Sequence, residues 1–202
     1  DAVNLGWKLA GTVRGWAPDG LLDTYHDERH PVGAAVTANT EVQTLLLELT
    51  LVEQYRRPAS ALRALFDDLL GIDAVNRRLA GAVSALDTRY GTSAEPLIGA
   101  RMPDLAPASH TSVYELLRGG SFVLLTLAGT GPAADAVAGW AGRVVHGEAS
   151  AGSHPALAGV TEILVRPDGH VAWLSRDEQP ASDRTNALTA WAGKPTAGGS
   201  AS

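Results

Sequence analysis

Apolar residues recur at helical spacing through residues 1–90 and gather into short, turn-bounded runs after that. Ala2, Leu5, Leu9 and Val13 predict an amphipathic helix ending near Gly15, with Trp7 and Lys8 on its flanks. Pro18-Asp19-Gly20 reads as a turn. Leu21, Leu22 and Tyr25 open a second helix, whose Asp23, Asp27 and Glu28 lie toward the positive end of the macrodipole. Pro31 is expected to kink or break that helix, because its ring clashes with the Asp27 carbonyl and it has no amide to donate. Val32, Ala35, Val36, Val42, Leu45, Leu46 and Leu49 then carry the period to Leu51 and read as a core face. After Arg56-Arg57-Pro58, Leu62, Leu65, Phe66, Leu69 and Leu70 predict a third helix closed by Gly71. Val75, Leu79, Ala82, Val83 and Leu86 predict a fourth, capped by Asp73.

The pattern changes at Gly91 to Pro96. Ser121 to Ala128 is a continuous apolar run of strand length, the signature of a central strand buried on both faces. Ala133 to Arg143 reads as a helix around Ala136, Val137 and Trp140, and Val144 and Val145 begin a short strand. Glu162 to Arg166 and His170 to Leu174 flank Pro167-Asp168-Gly169, a strong hairpin signal. A last helix runs from about Asp183 to Trp191, and 195–202 is a tail expected to be disordered.

Two stretches carry family resemblances. Asp1-Ala2-Val3-Asn4-Leu5-Gly6-Trp7-Lys8-Leu9, with Leu22-Asp23-Thr24-Tyr25 and Glu28-Arg29-His30-Pro31, resembles the end of the FAD-binding domain in class A flavoprotein monooxygenases. The aromatic polyketide hydroxylases and their rifampicin-type relatives are the most similar branch. The later order of strand, helix, strand, hairpin and closing helix resembles the thioredoxin fold. Gly99 to Leu105 and Val113 to Leu117 are similar to the lead-in of its peroxiredoxin-type members. Such a domain also closes the chain in the hydroxylase branch.

The resemblance implies an α/β chain. Residues 1–90 would be the helical C-terminal part of a FAD-binding domain with its connector, and 91–194 a thioredoxin-like domain with a central mixed sheet. It also implies a C-terminal fragment of a FAD-dependent, NAD(P)H-using monooxygenase that hydroxylates an aromatic or polyketide substrate. The helices before Gly91 would pack against a sheet that this chain lacks. The loops that hold flavin and nucleotide would precede Asp1, so the fragment is expected not to catalyse or bind FAD alone. No catalytic, cofactor-binding or metal residue is assigned; Asp1 and Asn4 would lie at best one layer behind the flavin contacts. The expected partner is the N-terminal flavin-binding portion. A non-enzymatic thioredoxin-like module for docking or homodimerisation is the alternative.

Composition narrows the classes further. A net charge of -6 without a basic run argues against nucleic acid or an anionic membrane surface as partner. No stretch is apolar enough to span a bilayer, which makes a cytoplasmic setting the default expectation. The chain has no cysteine, so Gly129-Thr130-Gly131-Pro132, standing where an active thioredoxin carries its thiol, offers no nucleophile.

Three constellations compete with blander readings. Gly129, Gly131 and Ala134, with Glu148 beyond them, superficially match a dinucleotide fingerprint, but a Ser/Gly/Pro loop and a hairpin follow where a Rossmann unit needs a crossover helix. A tight turn is the preferred reading. His26 and His30 have zinc spacing, but Asp27 stands where metalloproteases have Glu and no third ligand is evident, which favours a charged helix face. His146, Ser150, His154 and Asp168 lack a nucleophile elbow and read as loop composition. Trp7, Trp16, Trp140, Trp173 and Trp191 do not cluster in sequence and read as core or interface anchors.

Overall fold

A computed structural model of the chain describes residues 1–106, 112–127, 134–150, 152, 154–176 and 181–196. In chain order the helices are α1 (Ala2–Val13), α2 (Thr24–Leu51), α3 (Arg56–Leu70), α4 (Asp73–Ser84), α5 (Val113–Leu116) and α6 (Ala181–Ala192). The strands are β1 (Phe122–Leu127), β2 (Val144–Ala149), β3 (Glu162–Val165) and β4 (Val171–Ser175). Two compact units result: Asp1–Tyr25 together with Arg89–Ser202, and His26–Thr88.

In the first unit the strands form one sheet in the order β2-β1-β3-β4. β1 runs parallel to β2 and antiparallel to β3, and β3 and β4 form the hairpin, which gives the mixed sheet of a thioredoxin-like domain. The run read as a central strand is β1, buried along its whole length. Its alternate residues feed two cores, because successive side chains leave opposite faces of a strand. Phe122 and Leu124 join one core; Val123, Leu125 and Leu127 join the other. The segment expected to be a helix around Trp140 is a 3-10 helix, Ala134–Trp140. It is short and carries Gly139, which suits a connector better than a sustained α-helix.

All five tryptophans converge on the Phe122 side of the sheet. Trp7 and Trp140 are buried there, with Trp16, Trp173 and Trp191 packed against them. α1 contributes through a face that its leucine spacing does not announce. Asn4, Trp7, Lys8 and Gly11 are buried, whereas Leu9 and Val13 are exposed. Trp7 meets Phe122 edge to face at 5.2 Å. Gly11 leaves room for the Trp16 ring, whose nearest atom lies 2.7 Å from where a Cβ would stand. α1 thus has an apolar stripe turned to solvent and a second face held by the sheet.

The second unit consists of the rest of α2 with α3 and α4. None of these helices buries a residue; Val36, Val42 and Leu45, read as core, are each more than half exposed. Pro31 lies inside α2 without ending it, so the expected break is absent. The cap expected at Asp73 is corrected too: Ile72 is the N-cap of α4, and Asp73 sits in the first turn, where its carboxylate still meets the positive end of the dipole. At the chain's end Thr196 donates its amide to the Gly139 carbonyl at 2.8 Å. Residues 197–202 of the expected tail lie outside the described residues.

Candidate functional site

The densest polar arrangement in the first unit is built by the β3–β4 hairpin. Gly169, at φ +81, closes the turn, and its amide donates to the Arg166 carbonyl at 2.9 Å. The turn directs Asp168 inward, leaving its side chain 4% exposed beside an Arg166 side chain 2% exposed. Several donors converge on this carboxylate. Arg166 gives Nε at 3.1 Å to Oδ1 and Nη2 to Oδ2. Asn4 Nδ2 and Trp7 Nε1, both on α1, donate to Oδ2 at 3.1 and 3.3 Å. The His170 amide donates to Oδ1 at 3.3 Å, and the His170 ring nitrogen Nδ1 stands 3.4 Å from the same oxygen.

The Arg166 guanidinium lies 5.2 Å from the Trp7 ring, 5.2 Å from Tyr90 and 5.1 Å from Trp191, within cation–π range of all three. Tyr90 is placed by its backbone amide, which donates a hydrogen bond to the Gly99 carbonyl at 2.9 Å, and its ring tilts over His170 at 4.3 Å. Behind the turn, Met102 donates its amide to the Gly169 carbonyl at 2.8 Å, and the Tyr114 hydroxyl donates to the Met102 carbonyl at 2.6 Å. A cleft of about 310 Å³ opens here, lined among others by Asp1, Asn4, Arg101 and Tyr114.

Burial alone would raise the Asp168 pKa, but hydrogen bonding from His170 and the charge and hydrogen bonds of Arg166 outweigh it and hold the carboxyl well below the ordinary range. The Tyr114 hydroxyl moves up through burial, against the opposing charge of Arg101. Asp168 is therefore ionised and surrounded by donors, which suits fastening and not proton transfer. Its depressed folded pKa has a stability consequence. Below the ordinary Asp value of about 3.9, the unfolded chain takes the proton first. Asp168 thus stabilises the fold above that value, and its contribution is lost as pH falls. Asp168→Asn is expected to lower stability at pH 7 and flatten the acid limb of a melting-temperature profile; an unchanged limb would refute the assignment.

A second buried pair joins β3 to α6, with Arg184 Nη1 donating to Glu162 Oε1 at 2.9 Å. Burial raises the Glu162 pKa, and the Arg184 charge opposes it.

The residues singled out in the sequence are dispersed. Gly129, Gly131 and the rest of their loop lie outside the described residues; Glu148 is exposed on β2. His26 and His30 stack with ring centroids 5.0 Å apart on exposed α2. Among the described residues no group of three or more possible metal ligands occurs. His146 Nε2 contacts Thr126 Oγ1 at 3.0 Å, Ser150 Oγ accepts from the Gly152 amide at 3.2 Å, and the His154 carbonyl accepts from Leu157. Only Asp168 of that constellation enters the hairpin cluster, where it meets Asn4. Sequence reasoning missed Arg166, Trp7, Tyr90 and His170 as its companions. The available signal was a turn aspartate flanked at two residues' distance by basic groups on both sides.

Comparison with known proteins gives this geometry its setting. The family model "Aromatic-ring hydroxylase, C-terminal" matches residues 95–195, and "FAD binding domain" matches residues 1–40. The chain belongs to the aromatic-ring hydroxylase family, as its C-terminal portion. It is 42% identical over 201 residues to the 12-dehydrotetracycline 5-monooxygenase/anhydrotetracycline 6-monooxygenase of Streptomyces rimosus, covering 96% of this chain and 39% of that protein. It is 41% identical over 205 residues to a rifampicin monooxygenase of Streptomyces venezuelae, covering 98% of this chain and 38% of that protein. Among solved structures it resembles the OxyS anhydrotetracycline hydroxylase from Streptomyces rimosus, with a TM-score of 0.82 at 40% identity over 96% of this chain and 40% of that one. The chain thus spans about two-fifths of the length of these relatives. Among the described residues no helix is long and apolar enough to cross a membrane.

Proposed function

We propose that this chain is the C-terminal portion of a FAD-dependent monooxygenase that uses NAD(P)H and hydroxylates an aromatic or polyketide substrate, and that it supplies structure to that enzyme instead of catalytic residues. The observation that carries the reading is the union in one chain of a flavin-domain match over residues 1–40 with an aromatic-ring hydroxylase match over residues 95–195. The monooxygenase activities of the relatives support the reaction class. FAD, when bound, supplies the oxygen chemistry; the protein must then hold it, shield it and orient a substrate.

Beside Asp1 the described residues do not fit FAD by themselves. The cleft beside Asp1 is about 310 Å³ and abuts a carboxylate already saturated with donors, whereas a dinucleotide needs a longer groove and free amides for its phosphates. The flavin pocket is therefore assigned to the N-terminal portion. The large apolar side chains that α2, α3 and α4 expose, Val42, Leu47 and Leu65 among them, support docking onto that portion, since covering apolar surface is favourable.

Absorbance and calorimetry on the isolated chain are expected to show no FAD. Adding the N-terminal portion should give a one-to-one complex that retains flavin and oxidises NAD(P)H. Stoichiometric FAD on the isolated chain would overturn the reading. So would a chain that self-associates and ignores the N-terminal portion, which would favour the interaction-module alternative.

A further inference from the structure

One helix of this chain belongs to one domain by sequence and to another by packing. Residues 1–40 match the FAD-binding domain, yet Asp1–Tyr25 pack with the unit that contains the hydroxylase C-terminal sheet. The fastening is polar and directional. Asp168 accepts from Asn4 and Trp7 in the first two turns of α1 while Arg166 and His170 hold it from its own hairpin. Apolar packing alone would let a helix slide or roll by a fraction of a turn. Hydrogen bonds from two α1 side chains to one buried oxygen fix its register and rotation, because any slip leaves buried donors without their acceptor. The other end of α1 is pinned separately, by the Trp16 ring seated on Gly11 and set 6.4 Å from Phe122.

We propose that Asp168, with Arg166 behind it, is a positioning residue for the flavin site: the hairpin of the C-terminal domain clamps the amino-terminal end of α1 and so sets the placement of the flavin domain's own helix. This rests on the monooxygenase reading above. The C-terminal domain then acts as part of the flavin domain's frame, and its missing thiol is immaterial to its task. A clamp of this kind acts through α1, since the Asp168 carboxylate is buried and occupied by donors from Asn4, Trp7, Arg166 and His170. A small error in α1 would still be felt at the reacting centre, where misplacement of about 1 Å can cost on the order of a hundredfold.

The test uses the full-length flavoprotein carrying this chain, with Asn4→Ala and Trp7→Phe combined. The pair removes both α1 donors and leaves the Arg166–Asp168 pair intact. FAD affinity is expected to weaken by about tenfold or more, the order seen when supporting hydrogen bonds behind a bound group are removed. Amide exchange of α1 should speed up by a similar factor while β1 exchange stays at its wild-type rate, since local opening is separable from global unfolding. Wild-type protein that holds no FAD would overturn the monooxygenase reading and this proposal with it. Wild-type protein that holds FAD beside a variant that holds it equally well would overturn this proposal alone. So would β1 exchange rising in step with α1, the mark of general destabilisation. Asp168→Asn offers a second route read through FAD affinity alone, since it places an amide among donors and also lowers the stability of the whole unit.

Discussion

Arg166→Leu is expected to destabilise the first unit by about 3–5 kcal/mol, the usual cost of stripping one partner from a buried ion pair. The leucine keeps apolar volume between the rings of Trp7, Tyr90 and Trp191, so the loss reports on charge more than on a hole. What remains is Asp168, 4% exposed, with Asn4, Trp7 and His170 still donating but without the guanidinium charge. Its carboxyl should then take up a proton far more readily, because burial would dominate its pKa. Urea unfolding at pH 7 measures the loss, and the same measurement near pH 4 should find it smaller. In the double variant Arg166→Leu, Asp168→Leu, the two losses should fail to add, because the second substitution removes the charge that the first left stranded. A single-variant loss below about 1 kcal/mol would mean that the pair behaves as an exposed one.

Gly99→Ala is the second large effect. Gly99 has φ +79, and a Cβ there would stand 1.8 Å from the Tyr90 carbonyl oxygen and 2.9 Å from its carbon. These are backbone atoms, so no rotamer change relieves the overlap. Left-handed backbone costs an alanine about 1–2 kcal/mol, and forced displacement in a packed region adds about 1–3 kcal/mol. The displaced backbone segments are those that place Tyr90 over His170 and donate the Gly99 amide to the Val171 carbonyl at 2.8 Å. Gly91→Ala is the control: its φ is +73, but nothing lies within 4 Å of its Cβ position, so only the backbone part should appear. Equal melting temperatures for the two variants would show that the close approach at Gly99 is not maintained in solution.

Local pattern carried the sequence reading as far as local causes reach. The run at β1 was legible because a strand buried on both faces needs apolar residues without interruption, and Pro167-Asp168-Gly169 because turn chemistry is set by neighbouring residues. The family likeness in Asp1 to Leu9 was legible for the same reason. The cluster itself was not. Asn4 and Asp168 are separated by 164 positions, and nothing near either marks the other. Lys8, expected on a flank, is 0% exposed, on a face that only the tertiary fold reveals as a packing face. The tryptophans were readable as anchors one at a time, whereas their convergence on a single face depends on the sheet order.

The way α1 is shared bears on recombination between relatives. A chimera joined at Gly91 would graft a foreign hairpin under the resident helix, so Asn4 and Trp7 would face whatever side chain the donor carries at the turn. A functional exchange therefore has to move two separate stretches of chain together, residues 1–25 and the segment from Arg89 onward, leaving His26–Thr88 with the host. Substitutions at positions 4, 7, 166 and 168 should for the same reason be inherited as a set, with each lineage tolerating its own combination and rejecting mixtures.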